Sequence, residues 1–263
     1  MILSVEALTS SLIVGISVGL SAGYLGSIMV LEKMALVGDA LSHVALPGLA
    51  LGILFNFNPF FGAFAFLFTS AAVIWHLGRV TKLSFDTLVG AVFTLALAIG
   101  IMLVPAPDLL EALFGDITKV GPMDAVIAVF VSIIVVALTR TIYKKIVLGL
   151  ISEELAVSAG INVARTNLLY LLLVSLTVAI GIRITGTLLV GFLVVTPAAA
   201  ARTISSSLSR YCLLSSIFGL ICSVSGILFS SYFNLPPGPL VVFTGVAIFG
   251  VVVIVRWRTK FQG

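Results

Sequence analysis

Nine apolar stretches run along the chain, at about 8–31, 35–55, 59–78, 87–104, 123–143, 166–184, 187–204, 211–233 and 238–256, and polar positions gather between them. An α-helix needs about 20 apolar residues to cross a hydrocarbon core about 30 Å thick. The pattern therefore predicts an all-α, polytopic membrane helical bundle of about nine transmembrane helices, in one domain covering 1–263. The sixth and seventh stretches are parted only by the turn at Arg183–Gly186, and fusing them would give eight crossings. Two connections are more than turns. The segment Pro105–Pro122 carries Leu109, Leu110, Glu111, Ala112, Leu113 and Phe114, an amphipathic turn or two that suits the membrane interface. The segment Val147–Arg165 holds a short helix: Ser152 fits an N-cap, Glu153 and Glu154 suit the positive helix start, and Gly160 fits the C′ position. At about 152–160 this helix is too short and too polar to span. Held between two membrane helices it is either a rigid receiver of force or a plain surface connector.

Composition agrees with the pattern. Hydrophobic residues make up 60% and charged residues 9%, against about 25% charged in an ordinary soluble domain; mean hydropathy is +1.29. That excludes a soluble enzyme, a nucleic-acid-binding module and a disordered tail. Cys212 and Cys222 share one apolar stretch and point about 80° apart on a helix, which makes them poor joint ligands and fits core positions. Met1 to Leu8 lack a basic start and a cleavage site, so no removable signal peptide is expected. The formal charge of +4 matters through its placement. With the amino terminus outside, 12 of the 14 Lys and Arg residues fall inside, only Lys119 and Arg183 fall outside, and Asp108, Glu111, Asp116 and Asp124 cluster in one outside loop. The positive-inside rule then predicts N-out, C-in.

Of ten Asp and Glu residues, Asp39 alone falls well inside an apolar stretch. Of two histidines, His76 lies beside Trp75 near the inner end of the third stretch, an interfacial position, and the other is His43. Asp39 and His43 are four apart, so a helix puts both on one face. Ionisable groups at this depth are costly and mark functional sites. Pro47 follows His43 at i+4 and lacks an N–H, so the His43 carbonyl loses its helical partner. With Gly48 and Gly52 beyond it, the segment reads as a broken helix next to a transport site. A carboxylate and an imidazole suit Zn²⁺, Mn²⁺ or Fe²⁺ better than Mg²⁺ or an alkali ion. Two ligands are half a site; a homodimer with its two-fold axis along the pore would supply N₂O₂. Two other readings stand beside this one, a structural Asp–His hydrogen bond that locks packing and a proton relay in a secondary transporter. Neither Gly38-Asp39 nor Gly115-Asp116 has the preceding Gly-x of an intramembrane aspartyl protease, and Ser42 beside His43 makes no nucleophile–base pair. A phosphate-binding loop of the Gly-x₄-Gly-Lys-Ser/Thr type is missing, so any ATP hydrolysis belongs to another chain. Thr196-Pro197 and the small run Ala198–Ala201 fit close packing and a kink. Asn234 to Pro239 reads as a stiff turn.

These blocks together resemble the membrane-spanning permease subunits of ABC importers for zinc, manganese or iron. The resemblance is carried by Gly38-Asp39-Ala40-Leu41-Ser42-His43-Val44-Ala45-Leu46-Pro47-Gly48, by Leu113-Phe114-Gly115-Asp116-Ile117, by Glu153-Glu154-Leu155-Ala156 through Gly160, by Gly186-Thr187-Leu188-Leu189-Val190 through Pro197-Ala198-Ala199, and by Leu235-Pro236-Pro237-Gly238-Pro239. Two departures are Ile182, where an aromatic residue often precedes the Arg, and Ser152, where an acidic residue is common. The resemblance implies a type II importer-like permease in a bacterial plasma membrane. It implies a second copy of the chain, two cytosolic ATPase subunits and an extracytoplasmic metal-binding protein as partners, with the lipid bilayer around them and no nucleic acid. It also implies that the segment Ser152, Glu153, Glu154, Leu155 to Gly160 couples to the ATPase, and that Asp39 and His43 hold the passing ion. No permanently bound cofactor is expected; the divalent metal ion is cargo.

Overall fold

The computed structural model describes residues 5–81, 83–103 and 112–261. Leu109, Leu110, Glu111 and the side chain of Arg183, all singled out above, lie outside the described residues. The order is α1 (Val5–Leu31), α2 (Ala35–Leu54), α3 (Pro59–Thr81), α4 (Phe85–Leu103), a 3₁₀ turn (Ile117–Lys119), α5 (Pro122–Ile151), α6 (Glu153–Ser158), α7 (Val163–Ile204), α8 (Leu208–Phe233) and α9 (Pro237–Phe261). Among the described residues there is no β-strand.

Eight helices have the length and apolarity to cross a membrane, and the ninth apolar stretch is the shorter helix Val190–Ile204. This last piece is the second half of α7. The chain breaks at Gly186, where φ is 70° and ψ is 175°, within the turn expected between stretches six and seven. A side chain there is excluded twice over. The positive φ favours glycine, and a Cβ would collide with the backbone of Leu113 and Gly115, because the connection between α4 and α5 crosses directly over the break. The two halves are called α7a (Val163–Ile182) and α7b (Val190–Ile204) below.

Lipid tails are as apolar as leucine, so helices in a membrane associate through close packing and hydrogen bonds. α1 shows how this sequence does it. Its 18-residue core window is 72% buried, against 17% for α9, and it packs on α5, α7 and α8. Gly19 of α1 and Gly219 of α8 meet backbone to backbone, so that a Cβ on either would overlap the other's carbonyl. Around this contact hydroxyls stitch neighbours together. Ser215 Oγ donates to the Gly23 carbonyl (2.5 Å), Tyr170 Oη to the Leu25 carbonyl (3.2 Å), and Ser21 and Ser132 share a 3.3 Å bond. The outer surface carries large apolar side chains such as Leu95, Phe130, Ile133, Leu213 and Phe243. In water such a belt would drive aggregation; in hydrocarbon it is the proper surface.

Helix ends follow local chemistry. The Asp124 carboxylate accepts from Gly121 N–H (3.0 Å) with Pro122 at the first helical position. Asn162 Oδ1 accepts from Arg165 N–H (3.0 Å) to open α7. The α1–α2 turn passes through Lys33 at φ 61° and closes with Met34 N–H donating to the Met29 carbonyl (2.9 Å). α8 ends on Asn234 at φ 54°, and α9 starts at Pro237. At the end of the third stretch Trp75 Nε1 donates to the Ala164 carbonyl (2.7 Å) and Arg79 lies 5.0 Å over the Trp75 ring, while His76 is exposed.

Candidate functional site

α2 carries the candidate residues and is as enclosed as α1. It packs on α3, α4 and α7. The sequence predicts a broken helix at Pro47; the structure corrects this. α2 runs unbroken from Ala35 to Leu54 with Pro47 inside it. The missing N–H still leaves the His43 carbonyl without its helical donor, but neighbouring turns hold the helix together. Gly48 serves packing instead: a Cβ on it would overlap the Gly62 carbonyl of α3, and one on Gly62 would overlap the Gly48 carbonyl.

Asp39 and His43 lie on one face and have opposite surroundings. Asp39 is exposed on the chain's surface. Its backbone is pressed against Gly191 of α7b, where any side chain would collide with it. His43 is buried, 7% exposed. Its ring lies 5.4 Å from that of Phe93 on α4, tilted by 54°, and its Nδ1 has no hydrogen-bond partner. Among the described residues no hydrogen bond joins Asp39 to His43, so the packing-lock reading loses its main support. Ser42 turns away and donates to the Asp39 carbonyl (2.6 Å). Among the described residues no three His, Cys, Asp or Glu side chains converge as a metal site. One chain therefore offers two of the donors that a divalent ion needs, with the carboxylate on an uncovered surface.

The segment read as a coupling helix forms α6, six residues long rather than about eight. Ser152 Oγ accepts from Leu155 N–H (3.2 Å) as N-cap. Gly160 ends the helix at φ 76°, with Gly160 N–H donating to the Val157 carbonyl and Ile161 N–H to the Ala156 carbonyl, both at 2.9 Å, a Schellman closure. Ala156 anchors α6 in the protein, while Glu153, Glu154, Leu155 and Val157 stand exposed.

A carboxylate that the sequence reading passed over lies nearby. Glu32, in the α1–α2 turn, lines a cavity of about 220 Å³ with Lys145, Glu153, Thr166, Asn167 and Tyr170 among its walls. Burial pushes its pKa up to about 7. Nothing in the local pattern marks Glu32, because the groups that bury it come from α5 and α7. At the other end of the bundle a cavity of about 360 Å³ is lined by Leu49, Ile53, Pro59, Asp116, Lys119 and Ile182, among others. Cys212 and Cys222 are buried and free, as core positions.

Comparison with known proteins places this architecture. The profile of the ABC 3 transport family matches residues 4–256. This chain belongs to that family. It is a permease subunit, a non-enzymatic transport component, and ATP hydrolysis belongs to a separate chain. The permease is 32% identical over 246 residues to the manganese transport system membrane protein MntC of Listeria monocytogenes, covering 92% of this chain and 88% of that one. It is 30% identical to the high-affinity zinc uptake system membrane protein ZnuB of Haemophilus influenzae, covering 96% and 99%. The solved structure of PsaBC from Streptococcus pneumoniae in complex with Fab superposes with a TM-score of 0.83 at 32% identity, over 95% of the permease and 91% of that chain. Membership of an ABC family disfavours the free-standing proton-driven carrier.

Proposed function

We propose that this permease moves a divalent transition-metal ion, manganese or zinc, into the cell through a pore formed by two copies of the chain, and that Asp39 and His43 of each copy hold the ion in transit. The observation that carries the reading is the pairing of an exposed carboxylate with a buried, incompletely bonded imidazole one turn away on α2. A charged group within an apolar stretch is costly on a lipid-facing surface. A second copy covering that surface offsets the cost and completes an N₂O₂ set. Relatives named for manganese and for zinc support these two metals; no relative described above is named for iron, which the donor types alone also permit.

The rest of the cycle extends this reading. Two ATPase subunits drive it, an extracytoplasmic metal-binding protein delivers the ion, and the amino terminus faces outward, in keeping with the Lys and Arg bias of the connections. α6 seats its exposed Leu155 and Val157, flanked by Glu153 and Glu154, in a groove of the ATPase. Its two caps make it stiff, so that motion of the ATPase tilts α5 and α7 rather than unwinding the link. Pro47 and Gly48 leave a bare carbonyl and a tight α2–α3 contact beside the ion path. Transport requires quick release, so two weak half-sites serve better than a closed cage.

The test is uptake of radiolabelled Mn²⁺ and Zn²⁺ in cells carrying the intact transporter with Asp39→Ala or His43→Ala, with assembly on the ATPase verified. Both substitutions abolish uptake on this reading. Parent-like uptake in both removes it.

A further inference from the structure

We infer that Trp75 is a positioning residue that ties α6 to the ion path: its indole N–H, held on the Ala164 carbonyl, makes α3 follow the first turn of α7, and α3 carries α2 with it. This inference rests on the reading above, in which an ATPase moves α6. It starts from a bond in an unusual place. A tryptophan near the end of a membrane helix ordinarily turns its N–H toward headgroups and water. Trp75 instead donates to a backbone carbonyl 89 residues further along the chain, at 2.7 Å. Arg79, one turn on, lies 5.0 Å over the same ring, a cation–π contact that helps to hold the indole in place.

Ala164 is the second residue of α7, and the chain between it and α6 has little freedom. Gly160 N–H and Ile161 N–H close α6 on the Val157 and Ala156 carbonyls. Asn162 Oδ1 then accepts from Arg165 N–H (3.0 Å), and the Asn162 carbonyl accepts from both Thr166 N–H (3.0 Å) and Thr166 Oγ1 (3.1 Å). A shift of α6 therefore reaches Ala164 instead of being absorbed in the link. The direct route along α7 to the candidate ligands is interrupted, because the helix breaks at Gly186 before α7b meets Asp39 at Gly191.

The route through α3 is continuous. Ser175 Oγ of α7a donates to the Leu67 carbonyl of α3 (3.4 Å), and both residues are buried. Leu67 and Trp75 lie about 12 Å apart along α3, so two bonds at different levels resist both sliding and rotation of α3 on α7a. At its other end α3 is locked to α2. A Cβ on Gly48 or on Gly62 would overlap the other's carbonyl, and one on Gly52 would meet the backbone of Pro59. Gly48 stands just over one turn beyond His43. Packed interfaces of this kind shift as units rather than deform continuously. Trp75 is the joint of this path nearest to α6.

The test uses the full permease–ATPase assembly in proteoliposomes with its metal-binding protein, and reads ATP hydrolysed per radiolabelled Mn²⁺ imported. Trp75→Phe keeps an aromatic ring beside Arg79 and removes the N–H. An interhelical hydrogen bond of ordinary worth in a membrane biases a two-state balance about threefold, so ATP spent per ion should rise about threefold or more while hydrolysis continues. A role in packing alone lowers import and hydrolysis together and leaves the ratio at the parent's value; an unchanged ratio overturns the inference. If Trp75→Phe does not assemble, benzothienylalanine at position 75 keeps the bicyclic shape with sulfur in place of the N–H, and the same two outcomes decide. Asp39→Ala runs alongside. A parent-like ratio in Trp75→Phe with import lost in Asp39→Ala defeats the inference alone; import by the parent without ATP defeats the reading beneath it and the inference with it.

Discussion

α1 and α2 are equally buried, each 72% over its core window, yet they treat their polar side chains in opposite ways. On α1 four of the five buried serine hydroxyls are bonded. Ser11 donates to the Ile117 carbonyl (3.0 Å), Ser17 to Ile13 (2.8 Å), Ser21 to Ser17 (2.9 Å) and Ser27 to Tyr24 (2.7 Å). On α2 the imidazole of His43 keeps an unpartnered nitrogen and the carboxylate of Asp39 faces outward. Most buried hydroxyls of α1 are satisfied within the chain, whereas the α2 pair is left for something else to satisfy, which is what its proposed role in transit asks of it. Composition alone treats both as anomalies.

The largest expected difference is between Asp39→Ala and Ser11→Ala. The first lowers metal uptake by about tenfold or more, since ligands matter at least as much as their outer partners, and assembly is unchanged. The second leaves the uptake rate per assembled transporter near the parent's. Equal effects from the two would erase the distinction between α1 and α2.

Next comes the contact that makes α1 a scaffold. Gly219→Leu forces side-chain atoms into the Gly19 carbonyl, and overpacking of this kind costs about 1–3 kcal/mol or more. The variant should lose detergent stability and yield, seen as a lowered unfolding midpoint, whereas Leu at the exposed Phe243 should not.

A smaller effect sharpens the comparison at the turn joining α1 to α2. Glu32 has its pKa raised from 4.5 to about 7 by burial, so the folded state binds this proton more tightly than the unfolded state. Its contribution to stability is complete below the ordinary carboxyl range and is lost as pH rises through about 7. Glu32→Gln removes that slope. Thermal unfolding should show the variant matching the parent near pH 4.5 and exceeding it near pH 8 by about 1–3 kcal/mol, less than the full linkage value because the carboxyl keeps partial access to water. An unchanged pH slope would show that Glu32 is not buried as described.

The smallest effect belongs to single hydroxyls. Ser21→Ala removes the bond to Ser132 and should cost about 0.6 kcal/mol, the usual worth of an interhelical hydrogen bond in a membrane. A loss several times larger would mean that α1 carries function as well as structure.

Much of this was legible along the chain, for identifiable reasons. The apolar stretches map one for one onto membrane-length helices and the two halves of α7, because bilayer thickness imposes a length that a sequence displays directly. The Gly186 break was visible as an Arg–Gly turn, and the ends of α6 as a serine and a glycine with fixed capping roles. Asp39 and His43 stood out because ionisable groups are so rare here. Three things were hidden. Pro47 looked like a helix break, but α2 is held by α3 through the Gly48–Gly62 contact, which is tertiary. The opposite burial of Asp39 and His43 depends on where α4 and α7b cross α2. Glu32 looks ordinary in sequence and becomes notable only when other helices close over it.

The central claim is that two copies of α2 face each other and share one ion. Anomalous scattering at the manganese edge, recorded on the full permease–ATPase assembly soaked in Mn²⁺ and arrested without ATP turnover, tests it most directly. The account predicts a single peak on the two-fold axis, within ligand distance of the Asp39 carboxylates and His43 imidazoles of both copies. A peak remote from α2, or lipid chains lying over Asp39, would contradict it.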